Sequence, residues 1–438
     1  MQNVDIVYFY EHASRELDVA CAVAAILERE HNLSVKIVHW PVGYPVIENR
    51  IRTHLVVLPF CYTEDYFTLL LAKWRKATYF NVSWEQLFYA GNLKAKTPRG
   101  RFVTNHVIHH AWSESYAGFL REQGIRDQDI FVNGQPAYTL YDEPYRYYFK
   151  SRTDLANEYG LDPTLPWVLF PENYNWSFYT QEKLDQYIKE GQSPEEIHAM
   201  REFCEQSLAD TILWCNEVSK KGDVEMVIRP RPSTTLDVFL EAIDRILPEI
   251  TERLHIIQEE SVREWILASD VVVSSYSTSL IEAAIAGKAV YMVEPYPIPD
   301  PLRAKWHDLL PHIKTGKEFS KACSLTAAQG TGYRLNQWAR KSMMAHGDSI
   351  RRLADYLVQL HEEKISFPRA LPWEVVSPDV KNRWFTWLRL PYRRIKRLLF
   401  QRKIVNIPLD YVNDVKDEAE IRLRIQKWAD LISVSNQD

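Results

Sequence analysis

The residues best suited to chemistry cluster where polar side chains directly follow short apolar runs. The densest such place is 270–290. There Val271, Val272 and Val273 lead into Ser274, Ser275, Tyr276, Ser277, Thr278 and Ser279, with Glu282 one turn further on and Gly287 near the end. That order fits a strand, a hydroxyl-rich turn and a glycine-ended helix. Backbone N–H groups at the helix start, joined by the hydroxyls of Ser274, Ser275, Ser277, Thr278 and Ser279, would cradle a phosphate, and Glu282 would accept hydrogen bonds from ribose hydroxyls. Plain capping, with Glu282 closing a capping box, is the alternative. Arg229 and Arg231, held by Pro230 and Pro232 directly after an apolar run, weigh toward an anion site, because guanidinium forks grip phosphate oxygens in pairs. A solvated loop with surface ion pairs is the competing reading. Asn173, in the polar and aromatic loop after Trp167–Phe170, joins the expected cleft.

Glu11 closes the first apolar run, ahead of His12, Arg15 and Glu16. An inverting group transfer needs a base for the acceptor hydroxyl's proton, and a carboxylate with a burial-raised pKa suits that task. Glu11 is the candidate, with Arg15 beside it; Glu16 is expected inside the helix that comes next. Either acid also fits as a helix-start residue. Trp84, Glu85 and Gln86, near Asn81 and Phe88, offer polar groups beside aromatics, as an acceptor platform would. Downstream stand His106, His109, His110 and Glu114. His106 and His110 would share a face if the segment were helical, but no third ligand stands at a telling spacing, so no metal is expected. His109 and Glu114 are placed at the acceptor side of the cleft.

Positioning these groups requires a particular scaffold. Short apolar runs at 4–10, 35–40, 54–58, 77–82, 109–113 and 130–133 alternate with helical stretches at 16–31, 64–74 and 115–123. This is the pattern of a parallel sheet covered on both faces. It restarts at 167–170 and continues through 225–228, 254–257, 271–273 and 289–293, with a long helical region at 194–220. Ligands of open α/β sheets collect beyond the carboxyl ends of strands, where Glu11, Arg229 and 274–279 all fall. The expected layout is an acceptor domain at 1–140, a crossing at 141–166, a nucleotide-sugar domain at 167–335, a helix at 336–367 packing back on the domains, and a basic amphipathic tail at 368–438. Within the tail, 381–403 combines aromatics with dense positive charge and no acidic residue. This suits contact with an anionic membrane surface or docking on the protein or a partner.

Composition narrows the classes. With 438 residues, 46% hydrophobic and 25% charged, the chain suits two globular domains. A formal charge of -5 argues against a surface that coats nucleic acid. Five scattered cysteines without CxxC spacing suit a reducing compartment. No secretion signal and no run of about 20 apolar residues is read. A cytoplasmic protein is expected, with 381–403 as its peripheral contact to the inner membrane.

Over 4–330 the chain resembles the bacterial surface carbohydrate biosynthesis proteins. The resemblance rests on Glu11-x3-Arg15-Glu16-Leu17, Asn81-x2-Trp84-Glu85-Gln86, Trp112-x-Glu114 and Asn133-Gly-Gln-Pro136. Arg229-Pro-Arg-Pro232 and 274–279 with Glu282 look more distantly like Kdo transferases, CDP-glycerol glycerophosphotransferases and sialic-acid-type transferases. The resemblance implies an α/β fold of GT-B type, two Rossmann-like domains with parallel sheets facing a central cleft, followed by a C-terminal helical basic tail. It also implies that Glu11 inherits the base role of Kdo-type enzymes. Arginine stands where many relatives have His-Pro, which favours phosphate binding there over histidine chemistry. The expected activity is metal-independent, inverting transfer of a sugar from a CMP- or UDP-type donor to a surface-polysaccharide or lipid-linked acceptor. The nucleotide-sugar is a substrate and no cofactor is expected. A sugar-nucleotide epimerase and a non-catalytic scaffold of polysaccharide assembly are the alternatives.

Overall fold

A computed structural model describes residues 2–40, 51–63, 68–74, 76–247, 249–324, 330–363 and 414–435. The chain divides into two compact units. Unit 1 comprises Met1–Leu87, Lys94–Leu140 and Ser342–Asp438, and unit 2 comprises Phe88–Leu93 and Tyr141–Lys341.

Unit 1 is built on a six-stranded parallel sheet of β1 (Ile6–Tyr10), β2 (Val35–His39), β3 (Leu55–Leu58), β4 (Thr78–Asn81), β5 (Ile108–Ala111) and β6 (Ile130–Val132). Their spatial order is β2-β1-β3-β4-β5-β6. β1, β3, β4 and β5 are buried at every position; β1 and β3 read as apolar runs without alternation, as strands covered on both faces do, while β4 and β5 bury Thr78, Asn81, His109 and His110. Helix α1 (Asp18–His31) is buried from Asp18 to Leu27; its small residues between Ala20 and Ala25 let it lie close to the sheet. Asn32 ends it in the left-handed region (φ 54°), its N–H donating to the Leu27 carbonyl, a conformation asparagine tolerates better than most residues. α2 (Glu114–Glu122) is capped by Ser113, whose hydroxyl accepts from the Tyr116 N–H.

Unit 2 carries a second six-stranded parallel sheet: β7 (Trp167–Pro171), β8 (Glu225–Arg229), β9 (Leu254–Ile256), β10 (Val271–Ser274), β11 (Ala289–Val293) and β12 (His312–Ile313). The order is β9-β8-β7-β10-β11-β12, the doubly wound arrangement whose direction reverses between its first and fourth strands. The helices used below are α3 (Pro194–Ser219), α4 (Val262–Ala268) and α5 (Ser279–Ile285). β12 is only two residues long, too short for an apolar run to announce it, and the sequence does not predict it.

The chain then returns to unit 1. The single helix expected at 336–367 is two helices, Tyr333–Met343 and α6 (Ser349–His361). Between them Gly347 adopts φ +81°, and Asp348 caps α6 by accepting from the N–H groups of Ile350 and Arg351, which starts a new helix instead of continuing the old one. α7 (Glu418–Ser435) is the last helix. Its Ile421, Ile425, Trp428 and Ile432 are buried at i, i+4, i+7 and i+11, one helical stripe. Arg422 bonds Glu28 at 2.6 Å and the Val35 carbonyl at 3.0 Å, and Arg424 bonds Asp18 at 3.1 Å. The last helix of the expected basic tail is thus docked on α1. The basic stretch 381–403 lies outside the described residues. Among the described residues no helix is long and apolar enough to cross a membrane. All five cysteines are buried.

Candidate functional site

In unit 2 the reversal of strand order lies between β7 and β10, which both pair within the sheet around it. The expected phosphate groups fall there because each directly follows one of the three strands at that point. Ser274, the last residue of β10, donates its hydroxyl proton to the Pro171 carbonyl at 2.6 Å, stitching the ends of β10 and β7 together. The Glu172 N–H donates to the Arg229 carbonyl at 2.9 Å, carrying the pairing of β7 with β8 one residue beyond the strand. Asn173 accepts from Arg231 at 3.2 Å. Ser275 is buried, while Ser277 and Ser279 lie 3.1 Å apart through their hydroxyls at the start of α5, and the Ser279 N–H donates to Ser277 at 3.3 Å.

The two arginines of the Arg-Pro-Arg-Pro turn have different surroundings. Arg229 is buried, and its guanidinium donates to the carbonyls of Glu260 at 2.7 Å and Gln258 at 3.3 Å. Burial lowers its pKa to about 10, against the pull of Glu264, Glu259 and Glu260. It therefore shapes the loop after β9. Arg231 is half-buried and held by a neutral amide, with its own carbonyl accepting from Gln258 at 2.7 Å. Glu172, 3% exposed, has its carboxyl pushed up by burial, opposed by Arg231 and by the N–H groups of Tyr174 and Arg231. Sequence reasoning passed over Glu172; the signal was an acid placed directly after a wholly apolar strand.

Glu282 forms no capping box. Thr278 stands at the helix N-cap without a side-chain bond, and Glu282 accepts from the Tyr141 hydroxyl at 2.8 Å, with Arg263 at 3.8 Å. α5 has only seven residues, so its dipole adds less than the sequence pattern promised.

In unit 1 the strand order reverses between β1 and β3, and Glu11 stands directly beyond β1. Residues 13–17 form a π-helical turn before α1, in place of the helix expected from 16. That turn brings the Glu16 carboxylate back to accept the Glu11 N–H at 2.7 Å and Arg15 at 2.8 Å. Glu16 is wholly buried and its carboxyl is pushed up by burial, against the pull of Arg15. Arg15 also bonds Glu85 at 2.8 Å and lies 3.9 Å from Glu11. Glu85 pairs with Lys96 as well, whose ammonium burial lowers to about 8. Glu11 keeps 19% of its side chain exposed.

Gln86, His109 and Glu114, expected at the acceptor side, have other partners. Gln86 donates to the carbonyls of Ser83 and His110 and accepts from the Trp112 N–H at 2.7 Å, so it braces the ends of β4 and β5. Trp84 is 2% exposed. His109 is fully buried, with Nε2 donating to the Val103 carbonyl at 2.9 Å and Nδ1 accepting from Asn81 at 3.2 Å; burial lowers its pKa to about 4. Both ring nitrogens are engaged and the ring is neutral, which makes it a core brace. Glu114 is on the surface of α2, 3.6 Å from Arg121. His106 ends a short helix, Arg101–His106, whereas His110 belongs to β5, so they share no helix face. Among the described residues no group of three or more His, Cys, Asp or Glu could hold a metal ion.

No protein-family model matches the chain, and no curated protein matches it. Solved structures do match in fold. The wall teichoic acid polymerase TagF, in a variant soaked with CDPG, is similar over 83% of this chain and 90% of that one, with a TM-score of 0.53 at 12% identity. A UDP-N-acetylglucosamine 2-epimerase is similar over 85% of this chain and all of its own, with a TM-score of 0.51 at 13% identity. MnaA of S. aureus, in a structure with UDP, has the same coverage, a TM-score of 0.50 and 13% identity. The fold of this chain is GT-B-like, with two six-stranded parallel sheets.

Proposed function

We propose that this chain is a GT-B enzyme that transfers a sugar from a nucleotide-sugar donor, of CMP or UDP type, to a surface-polysaccharide or lipid-linked acceptor. One observation carries the reading. Asn173 and Arg231, bonded to each other, and Ser274, Ser275, Ser277, Thr278 and Ser279 follow the carboxyl ends of β7, β8 and β10, where the strand order reverses. A phosphate-bearing ligand suits that place in an open α/β sheet. The similarity in fold to TagF soaked with CDPG and to MnaA with UDP supports a nucleotide ligand.

In this reading Arg231 and the hydroxyl-rich turn neutralise the leaving phosphate as its bond to the anomeric carbon breaks. Arg229 holds the loop after β9, and Glu282 accepts from a ribose hydroxyl when Tyr141 releases it. Glu11 takes the proton of the attacking acceptor hydroxyl. Arg15 fixes Glu85 and Glu16 around it. No metal and no cofactor takes part in the proposed step, and the protein acts in the cytoplasm. The second reading, a 2-epimerase-like conversion of the donor alone, is favoured by the same similarity in fold to an epimerase.

Product analysis tests the proposal. The protein is incubated with CMP- and UDP-sugars, with and without a glycan acceptor. Release of nucleotide together with an extended acceptor is expected, and Glu11→Gln should stop it while leaving nucleotide binding intact. Conversion of the donor to an epimer without acceptor would overturn the transferase reading.

A further inference from the structure

Asp414 comes from the far end of the sequence, yet it is buried against the turn that carries Glu11. Its carboxylate accepts the Ala13 N–H at 2.7 Å through one oxygen and His12 Nδ1–H at 3.0 Å through the other. Its carbonyl accepts from the Tyr10 hydroxyl at 3.0 Å, and that hydroxyl accepts the Lys416 N–H at 3.2 Å. Two residues beyond Lys416, α7 begins its docking on α1. The placement of Asp414 is therefore fixed from both sides.

Resting on the transferase reading, we propose that Asp414 and His12 form a proton outlet for Glu11, so that this C-terminal segment completes the candidate active site. A proton on His12 Nδ1, directed at Asp414, leaves Nε2 as an acceptor. Nε2 stands 3.9 Å from Glu11 Oε2, a gap closed by a small side-chain rotation or one bridging water. When the acceptor hydroxyl attacks the anomeric carbon, the new C–O bond forms, the bond to phosphate breaks, and the hydroxyl proton passes to Glu11. The Glu11 carboxylic acid then gives that proton to His12 Nε2. Glu11 returns to the carboxylate, and the imidazolium is held by the Asp414 carboxylate. With 34% of its side chain exposed, His12 releases the proton to water.

Other titratable and charged groups around this cluster include Glu16 and Arg15 on the same turn, His39 on β2, Tyr10 beside Asp414, and Tyr62 and Lys96 facing Glu11. His39 Nε2 donates to the Glu11 carbonyl at 2.9 Å, and burial lowers its pKa to about 4. It stays neutral and does not compete for the proton. His12 and Asp414 act through Glu11 and are positioning residues.

The test uses the full chain. His12→Ala should lower turnover about 10- to 100-fold with little change in the donor KM, and added imidazole should restore it. Asp414→Asn keeps an oxygen for the Ala13 N–H but removes the charge; it should lower turnover similarly and shift the His12 tautomer, read by nitrogen NMR, away from Nδ1–H. Undiminished turnover in His12→Ala, or a loss that imidazole does not relieve, overturns the outlet alone. No transfer by the unaltered protein, together with a His12 tautomer that Asp414→Asn leaves unchanged, overturns both the outlet and the transferase reading. No transfer with the tautomer shifted as expected removes the transferase reading and the outlet's catalytic role, while the Asp414–His12 pairing stands.

Discussion

The carboxyl ends of the two sheets have opposite electrostatic designs on similar scaffolds. Beyond β1 in unit 1, charges answer one another: Arg15 bonds Glu16 and Glu85, Lys96 pairs with Glu85, and Asp414 holds His12. Beyond β7 and β8 in unit 2, Arg231 bonds a neutral amide, and burial pushes the nearby Glu172 carboxyl up against the pull of Arg231. A place where cations are already matched by acids has little to offer an anion, but it can hold a base in a defined geometry. In the proposed reading, the place with Arg231 and a row of hydroxyls and backbone N–H groups takes the phosphate. In that reading the two ends take different roles, and the difference lies in who answers each charge.

The comparison breaks most visibly at Glu11. Glu11→Gln should lower transfer by about 100-fold or more with the nucleotide dissociation constant unchanged, measured by turnover assay and calorimetry. A parallel loss of nucleotide binding would show that the two ends do not divide the work.

The second contrast is in acid. His39, His109 and His110 of unit 1 are each lowered to about 4 by burial, against His307 in unit 2. A histidine whose folded value lies below the unfolded 6.5 contributes stability that is complete above pH 6.5 and is lost as pH falls toward 4. For fully buried His109 that amounts to roughly 3 kcal/mol. Glu172, raised in the fold, works in the opposite direction in unit 2, where stability falls as pH rises from the unfolded carboxyl range. Hydrogen exchange between pH 7 and 4.5 should show unit 1 opening first. His109→Gln should be less stable at pH 7 but lose less on acidification.

Arg231→Ala should weaken nucleotide binding about 10- to 100-fold, the loss of charge-assisted hydrogen bonds, whereas Arg229→Ala should mainly lower the melting temperature of unit 2. Equal effects of the two on affinity would blur the distinction between them. The smallest effect is expected from Tyr141→Phe, which removes the hydrogen bond to Glu282. About 1 kcal/mol of unit 2 stability should go, read by denaturant unfolding.

Much of the scaffold was legible because buried parallel strands write themselves as unbroken apolar runs: Ile6–Tyr10, Val271–Ser274 and Ala289–Val293 stand out on that ground alone. The two-residue β12 and the break at Gly347 did not, since a short strand carries no period and a cap acts only through the backbone N–H groups of the turn after it. At the site, Arg231 and the hydroxyl turn were visible as residue types after strands. The hidden part depends on folding back. His109 and Gln86 look chemical in sequence and are braces in the structure, because burial is not written in residue type. Asp414 could not be linked to His12 across 402 positions by any local spacing.

The most direct test of the central claim is calorimetry of the purified protein with CMP, CDP, UDP, GDP and dTDP, repeated on Arg231→Ala. Selective binding of one nucleotide that weakens at least tenfold in the variant is predicted. No binding of any nucleotide by the unaltered protein, or binding that Arg231→Ala leaves unchanged, would contradict it.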